Sequence, residues 1–256
     1  MTPGEALDAR PLVVVTGGAK RVGRAIALEL ARRGCDLLLT YHTSRDAAQR
    51  TQQDALDIAR ASGKPVQVEI VPADFGDASG LERLCSAIAE RSGKRVAGLV
   101  HNASSYAPHP FGSITAEQAL GHFTVNALAP LLLTQALAPA LRAAGGSVVI
   151  FGDIHALGRP RRGYSAYLMS KAAVTDLVAT LALELAPTVR VHGVAPGVIA
   201  WPEGVDPAEI AAYEARIPLG RPGTPEEAAR LVGWLLFEAS YLTGETLRID
   251  GGRWLR

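Results

Sequence analysis

Short apolar runs alternate with longer stretches in which apolar residues recur every three or four positions, and this rhythm holds along the whole chain. The runs Pro11–Thr16, Leu37–Tyr41, Val66–Val71, Val96–His101, Ser147–Phe151, Val189–Val194 and Thr246–Ile249 predict strands. Between them, Val22–Arg33, Arg45–Ala61, Ser79–Arg91, Ala116–Ala144, Tyr164–Leu185 and Pro225–Phe237 predict helices. Pro130 lies inside the longest helix and predicts a kink there, because its ring removes an N–H and crowds the preceding turn. Most strand runs are apolar without a break, as parallel strands covered on both faces are. Strands and helices that alternate in this way, joined by right-handed crossovers, make an α/β fold. The expected architecture is a Rossmann-type doubly wound parallel sheet of about seven strands with helices on both faces, in a single domain spanning 1–256. The segment 196–224 breaks the rhythm. It is rich in proline and glycine, holds one short helical stretch at Pro207–Arg216, and reads as a substrate-covering insertion.

Composition narrows the function classes. Of 256 residues, 26 are Lys or Arg and 25 are Asp or Glu, so the net charge of +1 argues against nucleic acid or an anionic membrane surface as partner. The first ten residues are polar and lack the apolar core of a signal peptide. No apolar stretch reaches membrane-spanning length without a proline or a charge. Cys35 and Cys85 sit in apolar surroundings with no metal-ligand spacing, which suits a reduced, cytoplasmic protein with no metal site.

The first strand runs into Thr16-Gly17-Gly18-Ala19-Lys20-Arg21-Val22-Gly23, and a helix follows at once. Glycine lets a backbone turn sharply and approach a pyrophosphate, and the helix N-terminus adds unpaired N–H groups. A glycine-rich turn at this place in a βαβ unit predicts a dinucleotide site. These residues resemble the T-G-x-x-x-G-x-G pattern of short-chain dehydrogenases/reductases, and Arg21 in place of the middle glycine resembles the pteridine reductase subgroup. The resemblance extends to the closing Ile249-Asp250-Gly251-Gly252.

The end of the second strand reads Tyr41-His42-Thr43-Ser44-Arg45, with no carboxylate to hold ribose hydroxyls. Asp36 opens that strand and lies about 15 Å away. Arg21, His42, Thr43 and Ser44 together can bind a dianionic phosphate, so NADPH/NADP+ is the expected cofactor rather than NAD. By the resemblance, Gly17, Arg21, Val22 and Tyr41 also belong to the cofactor site. Asp74, followed by Phe75, would meet the adenine amino group, although a turn or N-cap role suits Asp74 equally. Asn102 and Ala103 would line the adenosine and ribose, with Ser104 where a glycine is usual. Pro196 and Gly197 would flank the nicotinamide.

Tyr167 and Lys171 form the Y-x-x-x-K of the family, and the spacing puts both on one helix face. A phenol ordinarily titrates near 10, and a cation about 4 Å away is expected to bring it down towards neutrality. Tyr167 is then the proton donor. Lys171 holds the ribose and tunes the phenol. Asn126 matches the family asparagine on the long helix, where its amide would organise a water chain from Lys171 or simply satisfy the helix before Pro130. The fifth strand ends at Gly152-Asp153, where most of the family carries Ser. Asp153 resembles the pteridine reductases, whose C=N substrates need a proton on nitrogen. It stands 14 positions before Tyr167 where 13 is usual, a difference that a loop one residue longer (156–163) would absorb. Tyr106 matches an aromatic that stacks on the pterin, with Tyr164 a competitor for that role. Ser104 and Trp201 would wall the pocket. His155, Arg159, Arg161 and Arg162 read as loop and solvent-facing residues. The C-terminal Arg253–Arg256 is expected to reach a neighbour's active site.

The resemblance implies NADPH-dependent reduction of a dihydropterin such as a biopterin-, monapterin- or folate-like substrate, in a homo-oligomer, commonly a tetramer formed through the long helices. A carbonyl or 3-oxoacyl reductase of the same family is the rival enzyme. A non-catalytic NADPH-binding sensor is the rival of another class.

Overall fold

The computed structural model describes residues 10–93, 95–201 and 204–256, so the polar opening stretch up to residue 9 lies outside the described residues. Seven parallel strands form one sheet in the order β3-β2-β1-β4-β5-β6-β7. They are β1 (Leu12–Thr16), β2 (Asp36–Tyr41), β3 (Val68–Pro72), β4 (Gly98–His101), β5 (Ser147–Phe151), β6 (Arg190–Pro196) and β7 (Thr246–Ile249). The helices are α1 (Arg21–Arg33), α2 (Arg45–Ala61), α3 (Leu81–Ser92), α4 (Ala116–Phe123), α5 (Ala129–Ala144), α6 (Ser165–Leu185), α7 (Pro207–Glu214) and α8 (Pro225–Phe237).

Alternation along each strand divides the core between two faces. Val13 and Val15 pack with Ile26, Leu30, Val232 and Leu235 of α1 and α8. Val14, between them, packs with Leu81, Leu133, Val174 and Val178 of α3, α5 and α6. The chain winds one way from β1 to β3 and the other from β4 to β7, so the order reverses between β1 and β4. Thr16 pairs with His101 there, which opens a crevice beyond the C-terminal strand ends.

Strand and helix boundaries depart from the expected ones by one or two residues in most places. The larger difference lies around Pro130. Instead of one helix with a sharp kink, α4 continues through a widened π-helical turn, Thr124–Leu128, into α5. Proline has no N–H to donate to the carbonyl of Asn126 four residues back, and the chain winds wider instead of breaking. Ala129 N–H reaches the Thr124 carbonyl. In the 196–224 segment, α7 starts on Pro207 behind Asp206, whose side chain accepts from Ala208 N–H.

By length and composition alone, the continuous 116–144 stretch and α6 are apolar enough to cross a membrane, a reading at odds with the sequence expectation. In the fold both are layers over the sheet, with 61% and 44% of their most apolar windows buried inside it.

Candidate active site

The glycine-rich turn is built by contacts on both sides. Gly17 has φ +66°, the left-handed region that favours glycine. A Cβ on Gly23 would lie 2.1 Å from the Gly17 carbonyl oxygen, so α1 packs this tightly under the turn only with glycine at that position. Asn102 at the end of β4 donates its amide to the carbonyls of Thr16 and Gly17, at 3.1 and 3.0 Å. Thr16 Oγ1 accepts from the N–H groups of Asn102 and Ala103 in return. The Asn102 side chain was expected to line the adenosine. It borders the crevice, but its amide is committed to holding the turn.

Arg21 departs from expectation in two respects. Its φ of +50° is left-handed, which explains why glycine is usual at this position and means that arginine is strained there. Its guanidinium also has a partner that the sequence did not announce. Nη2 donates to the Ala200 carbonyl at 2.7 Å, so Arg21 ties the phosphate-binding turn to the 196–224 segment. At the far side of the crevice, His42 Nε2 lies 3.4 Å from Asp74 Oδ2, while Asp74 Oδ1 accepts from Gly76 N–H in a tight turn. Tyr41, His42, Asp74 and Phe75 border the crevice; Thr43 and Ser44 fall outside its lining. Val22, Ala103, Ser104, Pro196 and Gly197 line it as well. The whole cleft has a volume of about 1460 Å³, well above that of an ordinary small-ligand pocket. A turn that a Cβ would fill, a helix N-terminus and a cleft of this size fit a dinucleotide with a substrate beside it.

Tyr167 and Lys171 lie one helical turn apart on α6, both buried and both facing the cleft. Their partners differ from the expected phenol–ammonium pair. The Tyr167 hydroxyl donates to Asp153 Oδ2 at 2.8 Å. Lys171 Nζ donates to the Phe151 carbonyl at 2.8 Å. Burial, then the Asp153 carboxylate, raises the phenol above its ordinary value, opposite to the shift expected from Lys171. Burial lowers the Lys171 ammonium to about 8, with Asp153 pulling the other way. The longer loop therefore does not carry Asp153 away. Its other oxygen accepts from His155 N–H at 2.7 Å and starts a short 3₁₀ turn, Ile154–Ala156, that absorbs chain at this point.

Asn126 sits in the widened turn with its side chain fully engaged. Oδ1 accepts from Ser105 N–H and Ser104 Oγ at 2.9 and 3.0 Å. Nδ2 donates to the Ser105 carbonyl and Ser170 Oγ at 3.0 and 2.9 Å. The side-chain amide thus pins the loop after β4 to α6. Asn126 falls outside the cleft lining.

Tyr106, 48% exposed, stacks on Tyr164 with ring centroids 5.1 Å apart and meets Tyr167 edge-on at 4.9 Å. The two competitors for the stacking role therefore form one aromatic wall. Trp201 donates Nε1 to Glu214 at 2.8 Å and packs edge-on against Tyr213, joining the segment before α7 to α7 itself.

Several lining residues had no signal in the sequence. Tyr213, Arg216 and Arg253 border the cleft. Arg159, Arg161, Arg162 and His155, read as loop residues, border it too. The C-terminal tail folds back on its own chain: Trp254 Nε1 donates to the Leu157 carbonyl at 3.2 Å, and Arg159 Nη1 donates to the Trp254 carbonyl. These contacts anchor the tail, whose expected reach is to a neighbour's active site, on its own chain. They join residues about a hundred positions apart, which no local pattern reports.

Comparison with known proteins agrees with this geometry. A family model described as enoyl-(acyl carrier protein) reductase matches residues 17–253. Dehydrogenase/reductase SDR family member 4 of Homo sapiens is 33% identical over 258 residues, covering 95% of this chain and 87% of that protein. Pteridine reductase 1 of Leishmania tarentolae is 32% identical over 278 residues, covering 94% and 96%. The crystal structure of an acetoin dehydrogenase from Salmonella typhimurium superposes with a TM-score of 0.84 at 32% identity, covering 96% of this chain and 98% of that one.

Proposed function

We propose, from the premise that this chain belongs to the short-chain dehydrogenase/reductase family of oxidoreductases, that it reduces a C=N bond of a dihydropterin with NADPH. The observation that carries this reading is the 2.8 Å contact between the Tyr167 hydroxyl and the Asp153 carboxylate. A carboxylate at that position repels the developing negative oxygen of a carbonyl but suits an imine nitrogen that must gain a proton.

A reduced nicotinamide bound along the crevice supplies a hydride. Everything else falls to the chain. The start of α1, brought close under the turn by Gly17 and Gly23, offers backbone N–H groups to the pyrophosphate. The Tyr106–Tyr164 wall gives a flat heterocycle a face to lie against. Tyr167 holds the proton for the substrate nitrogen, and Asp153 orients the phenol and accepts ring N–H groups. Lys171, charged below about pH 8, faces the ribose side and favours the phenolate left behind. The product gains one hydride on carbon and one proton on nitrogen.

NADPH preference rests on the missing carboxylate at the end of β2, and of His42, Thr43 and Ser44 it is His42 that borders the crevice. Arg21, which borders the same crevice and spends Nη2 on Ala200, keeps further guanidinium donors for a 2′-phosphate. His42→Asp is expected to raise the KM for NADPH by about 10–100-fold and leave NADH within a few-fold. Equal losses for the two cofactors would show that this end does not discriminate.

The substrate class is tested with purified protein and NADPH against dihydrobiopterin, dihydrofolate and simple hydroxyketone precursors. Faster turnover of a dihydropterin supports the reading. Faster turnover of the ketones would favour the carbonyl reductase alternative, which the likeness to an acetoin dehydrogenase supports. No turnover of either would leave the sensor alternative. Leu183 and Met169 on α6 are 81% and 56% exposed, which supports a homo-oligomer through this face, by family analogy a tetramer. Leu183→Glu is expected to reduce the particle mass seen by sedimentation. Buried free Cys35 and Cys85 suit the cytoplasm.

A further inference from the structure

The end of the cleft where Arg161 lies on the Tyr106–Tyr164 wall and Arg216 and Arg253 flank Tyr213 is also lined by Arg159 and Arg162. Among the described residues, none of the five has a carboxylate within ion-pair distance, whereas many surface arginines of this chain do. The carboxylates at this end are already engaged or few. Asp153 holds Tyr167 and His155, Asp250 accepts from Gly252 and Trp254 N–H, and Glu214 receives Trp201. Glu209 is the remaining acidic residue on this part of the lining among the described residues.

Arg253 is the decisive member. It is only 4% exposed, and its Nε is buried without a hydrogen-bond partner among the described residues. Its Nη1 donates to the Arg256 carbonyl, and its guanidinium lies 4.8 Å from the Tyr213 ring centroid. Arg216 lies 5.8 Å from the same ring. Arg161 donates to the Tyr106 hydroxyl at 3.1 Å and covers the Tyr164 ring. Aromatic faces hold these cations in place without neutralising them. Arg253 Nε stays buried with no partner among the described residues, which is costly unless a group meets it, and Arg253 borders the substrate cleft.

We infer that this end of the cleft is an anion subsite, which takes a carboxylate or phosphate carried on the substrate's side chain, away from the reduced ring. The inference rests on the pterin reading for the ring's identity but not for the anion. Of the pterins, it selects those with a charged tail over those with a neutral polyol chain. Guanidinium forks match carboxylate and phosphate oxygens in pairs, so more than one arginine can engage one tail.

The test uses the full chain with two readouts. The first is thermal stability with p-aminobenzoyl-glutamate alone and with inorganic phosphate alone. A saturable rise in Tm is expected with at least one of them, and it should be lost in Arg253→Gln and Arg216→Gln. The second is the ratio of kcat/KM for a tailed over a tail-less substrate, with dihydrofolate and a dihydropterin phosphate ester each set against dihydrobiopterin. The wild-type ratio is expected to be tenfold or more for one tail, which identifies carboxylate or phosphate as its source. It should fall about tenfold in Arg216→Gln and in high salt; effects on the cofactor cancel in the ratio. If Arg253→Gln does not fold, the exposed Arg216→Gln and Arg161→Gln carry the test. A ratio near one, with no Tm shift from either anion, overturns the anion subsite and leaves pterin reduction standing. A Tm shift that depends on these arginines, without turnover of any dihydropterin, supports the subsite and overturns the pterin reading.

Discussion

Tyr167→Phe is expected to lower kcat by roughly 10²–10⁴-fold while dinucleotide affinity stays within about twofold of wild type. The substitution removes one oxygen and keeps the ring, so its packing against Tyr106 and Tyr164 survives. The oxygen lost is the donor to Asp153, the hydroxyl placed to give a proton to a substrate lying on that wall. Because the phenol is raised above its ordinary value by burial and by Asp153, it stays protonated through the neutral range, the right state for an acid in the reductive direction. Any loss of wild-type activity at moderately alkaline pH must then come from another group. Lys171, brought down to about 8, is charged below that pH and neutral above it, so the rate is expected to fall as pH rises through about 8. The same shift has a stability signature. Between about 8 and the ordinary lysine value, the unfolded chain binds the proton that the folded chain has lost, so the contribution of Lys171 to stability rises with pH over that window. Stopped-flow hydride transfer with NADPH, together with a fluorescence titration for binding, checks the variant. Retention of more than a tenth of wild-type kcat would remove Tyr167 from proton transfer.

Asp153→Asn is expected to lower dihydropterin turnover by about 10²-fold and to move the alkaline limb of the pH profile to lower pH. Both parts follow from where the carboxylate sits. Its Oδ2 touches the Tyr167 hydroxyl at 2.8 Å, and its charge raises both Tyr167 and Lys171. Neutralising it lowers both groups, so the two shifts share one sign and cannot cancel. Asn keeps an acceptor for His155 N–H, so the 3₁₀ turn at Ile154–Ala156 should persist and the fold should be little affected. Asp153→Ser goes further, since it restores the hydroxyl usual in carbonyl-reducing relatives. It is expected to raise turnover of simple ketones as dihydropterin turnover falls. The ratio of the two activities, measured across pH 6–10 in wild type and both variants, decides the matter. If the ratio and the alkaline limb are unmoved, Asp153 has no part in choosing the substrate.

Local sequence determined the frame of this protein. Unbroken apolar runs and three-to-four-residue spacing are properties of neighbouring residues, and they placed all seven strands and the Tyr167–Lys171 helix. Glycine at 17 and 23 was legible for the same reason, since a left-handed turn and a close approach are read over a few residues. Pro130 announced a disturbance, but whether the helix kinked or widened depended on what packed around it.

The partners of the long polar side chains were decided only by tertiary structure. Arg21 meets Ala200 across 179 positions, Arg159 meets Trp254 across 95, and Tyr167 answers to Asp153 instead of the lysine one turn away. A hydrogen bond or a burial penalty depends on distance in space, and an arginine at the end of a flexible stem can reach any of several groups. Which one it finds, and whether an atom such as Arg253 Nε is left buried without a partner among the described residues, is settled when loops from distant parts of the chain close over one cleft.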